Sequence, residues 1–209
     1  MILRHFQNVV CGCLWALPSL LFAHEIIIQP DYWTANKCIE NGMPWQVPGS
    51  IYKEDECCQA DDVVMEFGTG GSTIFYARRC KHVLALETDP EWTSFLAAHL
   101  EKLGVKNVTL MCIQDQSEIV RYVQNNDLSK ITIVSVDTVH GYDRSVLLDA
   151  FLNKGISDKL RMIVLDNYAA PELFSRHYNI DPVSLQDWEV FKYDDVHWLG
   201  NGTKLYIRK

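Results

Sequence analysis

Basic residues are the minority charge in this 209-residue sequence: 19 lysines and arginines stand against 27 aspartates and glutamates, a formal net charge of −8. Phosphate binding calls for a basic face, so this balance argues against a nucleic-acid surface. A full-length apolar span is also missing. The uncharged stretch from Phe6 to Ala23 is short for a membrane crossing and holds Pro18. Arg4 and His5 precede it and the small Ala23 closes it, the pattern of a secretory signal cleaved near Ala23–His24. An uncleaved anchor or an N-terminal core helix fits the same residues. The expected location is secreted, periplasmic or membrane-anchored, with the membrane met only through this segment if it is uncleaved; without a signal the chain is cytoplasmic. Repeats and low-complexity tracts are absent.

The cysteines lack zinc-site spacing. Cys11 and Cys13 would leave with the signal, and Cys38, Cys57, Cys58, Cys80 and Cys112 would remain. In an oxidising compartment Cys38 pairs plausibly with Cys57 or Cys58, whereas Cys80 and Cys112, beside apolar strand residues, read as buried free thiols. Asn107-Val108-Thr109 and Asn201-Gly202-Thr203 satisfy the glycosylation pattern.

What the chain does have is concentrated in residues 63–89. Val63, Val64 and Met65 read as a buried strand, Glu66 to Ser72 as a glycine turn, and Thr73 to Arg79 as a short helix. A second strand, Val83 to Leu86, then ends on Glu87. Glycines let a backbone approach a ligand without Cβ clashes. A carboxylate at the tip of the next strand accepts ribose hydroxyls. The turn reads Glu66-x-Gly68-x-Gly70-x-Ser72, not G-x-G-x-x-G. An acid at the strand's end is a poor neighbour for a pyrophosphate and a good one for a cation. The pattern therefore predicts a nucleoside site, with a dinucleotide site or a plain βα turn as the alternatives.

Around this unit the sequence divides into residues 1–23 (signal or anchor), 24–60 (an irregular lead-in or lid) and 61–209 (the main domain). The lead-in carries Pro30, Pro44 and Pro48, with a helix near Tyr32–Asn41, and Trp33 and Trp45 as candidate lid residues. After Glu87, a helix begins at Pro90 and closes at Gly104. A strand at Val108–Met111 is followed by Asp115 and Gln116, then a helix over Ser117–Val123. Ile131–Val136 has the continuous apolar character of a central parallel strand and leads into Asp137. A helix over Val146–Leu152, a strand over Met162–Leu165 ending on Asp166-Asn167, and a helix over Pro171–Tyr178 come next. Trp188–Tyr193 and Lys204–Ile207 form a terminal hairpin. Alternating strands and helices predict an α/β fold, a Rossmann-like, mostly parallel sheet with a C-terminal antiparallel hairpin. Glu66, Glu87, Asp115, Asp137 and Asp166 all fall at carboxyl ends of strands, the edge where such sheets bind ligands.

The first constellation resembles the leading motif of the class I S-adenosylmethionine (SAM)-dependent methyltransferases. That resemblance implies SAM as cofactor, held by Glu66, Gly68, Gly70, Ser72, Glu87, the adjoining Thr88, Asp115 and Gln116. The closing hairpin matches the same family's sheet. Asp137, Asp166 and Asn167 resemble the metal ligands of the catechol-O-methyltransferase-like branch, implying Mg²⁺ or Ca²⁺ and O-methylation of a small molecule. Hard oxygen donors suit either ion. That branch has a lysine three residues past the first metal aspartate; here His140 stands at that offset and becomes the candidate base. Asp137-x-x-His140-x-Tyr142 also resembles a broader group of bacterial small-molecule methyltransferases.

Two rivals remain. An exported, non-catalytic nucleoside-binding protein of the same fold fits the missing lysine. A nicotinamide-dependent oxidoreductase is disfavoured by Glu66 and by the absence of G-x-G-x-x-G. The sequence carries no readable code for the methyl acceptor or for oligomeric state.

Overall fold

The computed structural model describes residues 34–138, 142–155, 157–170, 172–177, 181–194 and 202–209. The segment read as a signal or anchor, with Trp33, lies outside the described residues, as do His140 and Asn201. Among the described residues no helix is long and apolar enough to cross a membrane.

The lead-in contains two helices, α1 (Ala35–Asn41) and α2 (Pro48–Cys57). Thr34 caps α1 by accepting from the Lys37 N–H, and Gly42 ends it in the left-handed conformation. Pro48 opens α2 with its preset φ. Then β1 (Val63–Phe67), α3 (Gly71–Ala77), β2 (His82–Glu87) and α4 (Pro90–Lys102) follow in turn. The next elements are β3 (Val108–Cys112), α5 (Gln116–Asn125), β4 (Ile133–Val136), α6 (Arg144–Leu152) and β5 (Met162–Asp166). The chain closes with β6 (Trp188–Tyr193) and β7 (Thr203–Arg208). The seven strands form one sheet in the order β3-β2-β1-β4-β5-β7-β6. The first five are parallel, and β7 runs antiparallel to both β5 and β6.

The two-residue period of a strand sorts side chains between the faces. Met65, Phe67, Leu86, Val134, Val136, Ile163 and Leu165 pack against Ile119 and Val123 of α5 and Leu147, Leu148 and Phe151 of α6. Val64, Val83, Ala85, Ile133, Met162 and Val164 pack on the other face against Ile51 of α2 and Phe75 and Tyr76 of α3. By the same alternation Glu66, Glu87, Ser135 and Asp166 belong to this second face. Each fully buried aliphatic or aromatic side chain contributes about 1.5–3 kcal/mol, against about 1 kcal/mol for a typical hydrogen bond. The fold therefore rests on the two apolar faces, not on the polar rim.

Three expectations are corrected. Residues 172–177 form turns instead of a helix. Leu173 contributes its carbonyl to the Arg144 N–H at 2.7 Å, a tertiary bond in place of a helical one. Cys112 is exposed, not buried, and the five described cysteines are free thiols. The Asn107 amide donates to the carbonyls of Ala77 and Cys80 at 2.8 and 3.0 Å, so this sequon's nitrogen is spent inside the fold.

Candidate active site at the carboxyl edge of the sheet

The glycine turn after β1 lies at the centre of the edge. Gly68 has φ +86°, and a Cβ there would come within 2.0 Å of the Asp137 carbonyl oxygen. Gly71 is equally confined: its Cβ would lie 1.9 Å from the Met43 carbonyl oxygen and 2.5 Å from that of Cys38. The lead-in is thus pressed directly onto the turn. Gly70 differs from both, because the nearest atom to its Cβ would be Trp92 Cζ2 at 4.0 Å. No side chain or backbone atom among the described residues crowds a Cβ at position 70, which leaves space for a ligand against the backbone.

Two glutamates hold the turn from either side. Glu87 is buried, and its Oε2 accepts from the Thr69 N–H at 3.0 Å and the Thr69 hydroxyl at 2.7 Å. Its Oε1 accepts from the backbone N–H groups of Thr88 at 2.7 Å and Asp89 at 3.1 Å. The Thr69 carbonyl in turn accepts from the Trp92 indole N–H at 2.8 Å, tying α4 to the turn. Glu66 accepts the Thr73 hydroxyl at 2.7 Å on Oε2, while its buried Oε1 has no hydrogen-bond partner within bonding geometry among the described residues. Burial pushes the Glu66 carboxyl up to about 8; the Ser72 and Thr73 hydroxyls oppose this and the charges of Asp137 and Glu87 add to it. An orphaned acceptor beside an open glycine fits a cationic, donor-bearing ligand such as the amino group and sulfonium of SAM.

The other predicted cofactor residues are placed at the same rim with their own partners. Asp115 is exposed and caps α5, accepting from the Ser117 N–H at 2.6 Å. The Gln116 amide donates to the Asp143 carbonyl at 2.7 Å, and the Tyr142 hydroxyl to the Gln114 carbonyl at 2.9 Å. The loops after β3 and β4 are joined by these two bonds. Ser72 is buried in the first turn of α3, and Thr88 beside Glu87.

Asp137, Asp166 and Asn167 do converge, but around a guanidinium. Arg144, at the start of α6 and 3% exposed, reaches Asp137 Oδ1 at 3.1 Å, the Asp166 carbonyl at 2.7 Å and Asn167 Oδ1 at 3.3 Å. It also donates to the Thr138 carbonyl. Asn167 is the one non-glycine residue with positive φ among those described, at +52°. The Asp166 carboxylate accepts the Thr203 hydroxyl at 2.7 Å, and burial together with Asp137 raises its pKa. Among the described residues no group of three or more His, Cys, Asp or Glu side chains is placed to share a metal. Two side-chain oxygens of the predicted set, on Asp137 and Asn167, thus already face a cation of the chain itself.

Sequence reasoning missed several residues here. Glu54 sits in the charged run Lys53-Glu54-Asp55-Glu56, which reads as a solvated helix face, yet it is fully buried. Tyr76 donates its hydroxyl to Glu54, and Glu54 Oε1 is left without a partner. Burial raises the Glu54 pKa to about 8, against the opposing Tyr76 hydrogen bond and the Arg79 charge. Gln46 is buried with both amide atoms unpartnered, as are the Ser135 and Thr138 hydroxyls. Asp137 is the charge that acts on Cys38, Glu54, Glu66 and Asp166 alike. The lead-in, β1 and β5 thus each place a buried titratable group within reach of the Asp137 charge.

No family model matches the sequence, and no curated protein does. Solved structures do match. An O-methyltransferase from Bacillus cereus in complex with SAH superposes with a TM-score of 0.57 at 16% identity, covering 70% of this chain and 74% of that one. An rRNA methylase from Streptococcus thermophilus gives 0.56 at 16% identity, covering 76% and 95%. A candidate methyltransferase from Streptococcus mutans in complex with SAH gives 0.53 at 14%, covering 74% and 92%. With the strand order, the reversed seventh strand and the glycine turn after the first strand, these likenesses establish that the chain has the class I methyltransferase fold.

Proposed function

We propose that this protein is a SAM-dependent methyltransferase acting on an oxygen of a small molecule. The observation that carries the reading is the pairing of an uncrowded glycine, Gly70, with the orphaned Oε1 of the buried Glu66. When bound, SAM supplies a methyl group on a positive sulfur. The chain does the remainder. Glu66 and Glu87 flank the turn, Gly68, Gly70 and Ser72 shape it, and Thr88, Asp115 and Gln116 line its outer side. His140, between Asp137 and Arg144 in sequence, accepts the acceptor's proton, and holding the reactants in line supplies most of the acceleration.

The excess of acidic over basic residues supports a small acceptor over a nucleic acid. The basic start and apolar run before Ala23 support export or anchoring. Isothermal titration with SAM and transfer of a labelled methyl group test the enzyme reading. One observation favours the alternative, an exported nucleoside-binding protein without turnover: the five donors on Glu87 satisfy that carboxylate without a ribose. SAM binding with no methyl transfer to any acceptor in a broad panel would select it.

A further inference from the structure

Arg144 was not among the residues the sequence singled out, yet it is the most deeply placed positive charge at the edge. A buried guanidinium is costly unless its donors are matched. Its terminal nitrogens donate to the Asp166 carbonyl (2.7 Å), Asn167 Oδ1 (3.3 Å) and the Thr138 carbonyl, and pair with Asp137 Oδ1 across 3.1 Å. Its Nε–H is buried and has no partner among the described residues. These acceptors come from the ends of β4 and β5, and two of them, Asp137 Oδ1 and Asn167 Oδ1, are side-chain oxygens that a hard divalent ion would need at about 2.0–2.6 Å. Arg144 draws together the two loops that such an ion would bridge, and its charge opposes the same carboxylate. Its backbone is anchored too, through the N–H bond to Leu173 and its position at the first turn of a helix capped by Asp143.

We propose that Arg144 replaces the divalent cation of the metal-dependent branch, as a positioning residue that holds Asp137 and Asn167 in register and makes the site metal-independent. The fixed planar fork suits this task, since it meets several oxygens at once without dehydrating an ion. The remaining Nε–H is then the donor left for an oxygen of the methyl acceptor. That last role rests on the methyltransferase reading, whereas the replacement of the metal does not.

The test uses the full chain and the metal alone, with no SAM present. Mn²⁺ titrated into the wild-type protein should keep the six-line electron paramagnetic resonance spectrum of the free ion, and Mg²⁺ or Ca²⁺ should give no saturable heat. Arg144→Gln removes the guanidinium from these oxygens. It should bind Mn²⁺ at millimolar concentrations or tighter, and Asp137→Asn in that background should abolish the binding. Arg144→Lys keeps the charge and should bind no metal, which covers the case in which the glutamine variant fails to fold. Saturable Mn²⁺ or Mg²⁺ binding to the wild type, lost in Asp137→Asn, overturns the proposal, as does metal binding by Arg144→Lys or none by a folded Arg144→Gln. A separate SAM titration reports on the cofactor reading, so one can fail without the other.

Discussion

Thr69 and Glu87, 18 residues apart, are joined twice: the backbone N–H and the hydroxyl of Thr69 both donate to one carboxylate oxygen of Glu87, at 3.0 and 2.7 Å. The first glycine turn and the tip of the second strand are thereby a single unit before any cofactor arrives. Glu87→Ala would strand the Thr69, Thr88 and Asp89 N–H groups together. A cost of about 2 kcal/mol is expected, a fall of about 4–8 °C in melting temperature for a domain of this size. SAM affinity should drop at least about tenfold, or about 1.4 kcal/mol. Calorimetry on the purified variant checks both, and an unchanged SAM affinity would remove Glu87 from the cofactor site.

The neighbouring glycines give a sharper contrast. Gly68→Ala sets a Cβ 2.0 Å from the Asp137 carbonyl oxygen at φ +86°, and should cost about 3 kcal/mol or more. Gly70→Ala meets no protein atom closer than 4.0 Å, so its stability should stay within about 0.5 kcal/mol of wild type. Its SAM affinity should nevertheless fall at least about tenfold. A stable Gly70→Ala protein that binds SAM normally would mean that no ligand uses this cradle.

The rim was legible from the sequence and the buried polar groups behind it were not, because the two rest on different kinds of pattern. Apolar runs at 63–65, 83–86, 131–136 and 162–165 mark parallel strands, and an acid at or just beyond each run needs no tertiary knowledge to place. The second helix of the lead-in is different: its charged run conceals Glu54, whose burial depends on Tyr76 coming from α3. Arg144 opens a helix that the apolar pattern dates only from Val146, and its role depends on three loops meeting. The turns at 172–177 carry Leu173 and Phe174 at core positions, a signal that does not distinguish a helix from a buried turn.

His140 falls between Asp137 and Arg144 in sequence. If it accepts the proton, His140→Asn should lower kcat by about 10²–10⁴ while leaving the SAM dissociation constant within about twofold. A variant with full kcat would reassign the base.

Glu54 and Glu66 make stability depend on pH in an unusual direction for carboxylates. Burial is the main cause that raises each from 4.5 to about 8 in the folded state. Between these values the folded protein holds protons that the unfolded chain has released, so stability falls as pH rises. The contribution is fully present below about pH 4.5, declines from there to about pH 8, and is then lost, each group contributing up to about one proton to the slope. Denaturant midpoints measured from pH 5 to 8 should fall for the wild type and fall less for Glu66→Gln and Glu54→Gln. Parallel slopes in all three would show that neither carboxyl is protonated in the native state.

The same protonation makes cofactor binding a proton-releasing event. At pH 7 a Glu66 carboxyl held up at about 8 carries its proton in the free protein. A positive sulfonium and amino group brought beside Oε1 favour the carboxylate and drive the proton out. Titration of SAM at pH 7 in buffers of different ionisation enthalpy should therefore show release approaching one proton per site. Glu66→Gln should show almost none, at an affinity weakened by about tenfold or more. If wild type and Glu66→Gln exchange the same number of protons, the cation of the cofactor does not face Glu66, and the strand-end acid is a structural group buried for the sake of Thr73 and the helix it begins.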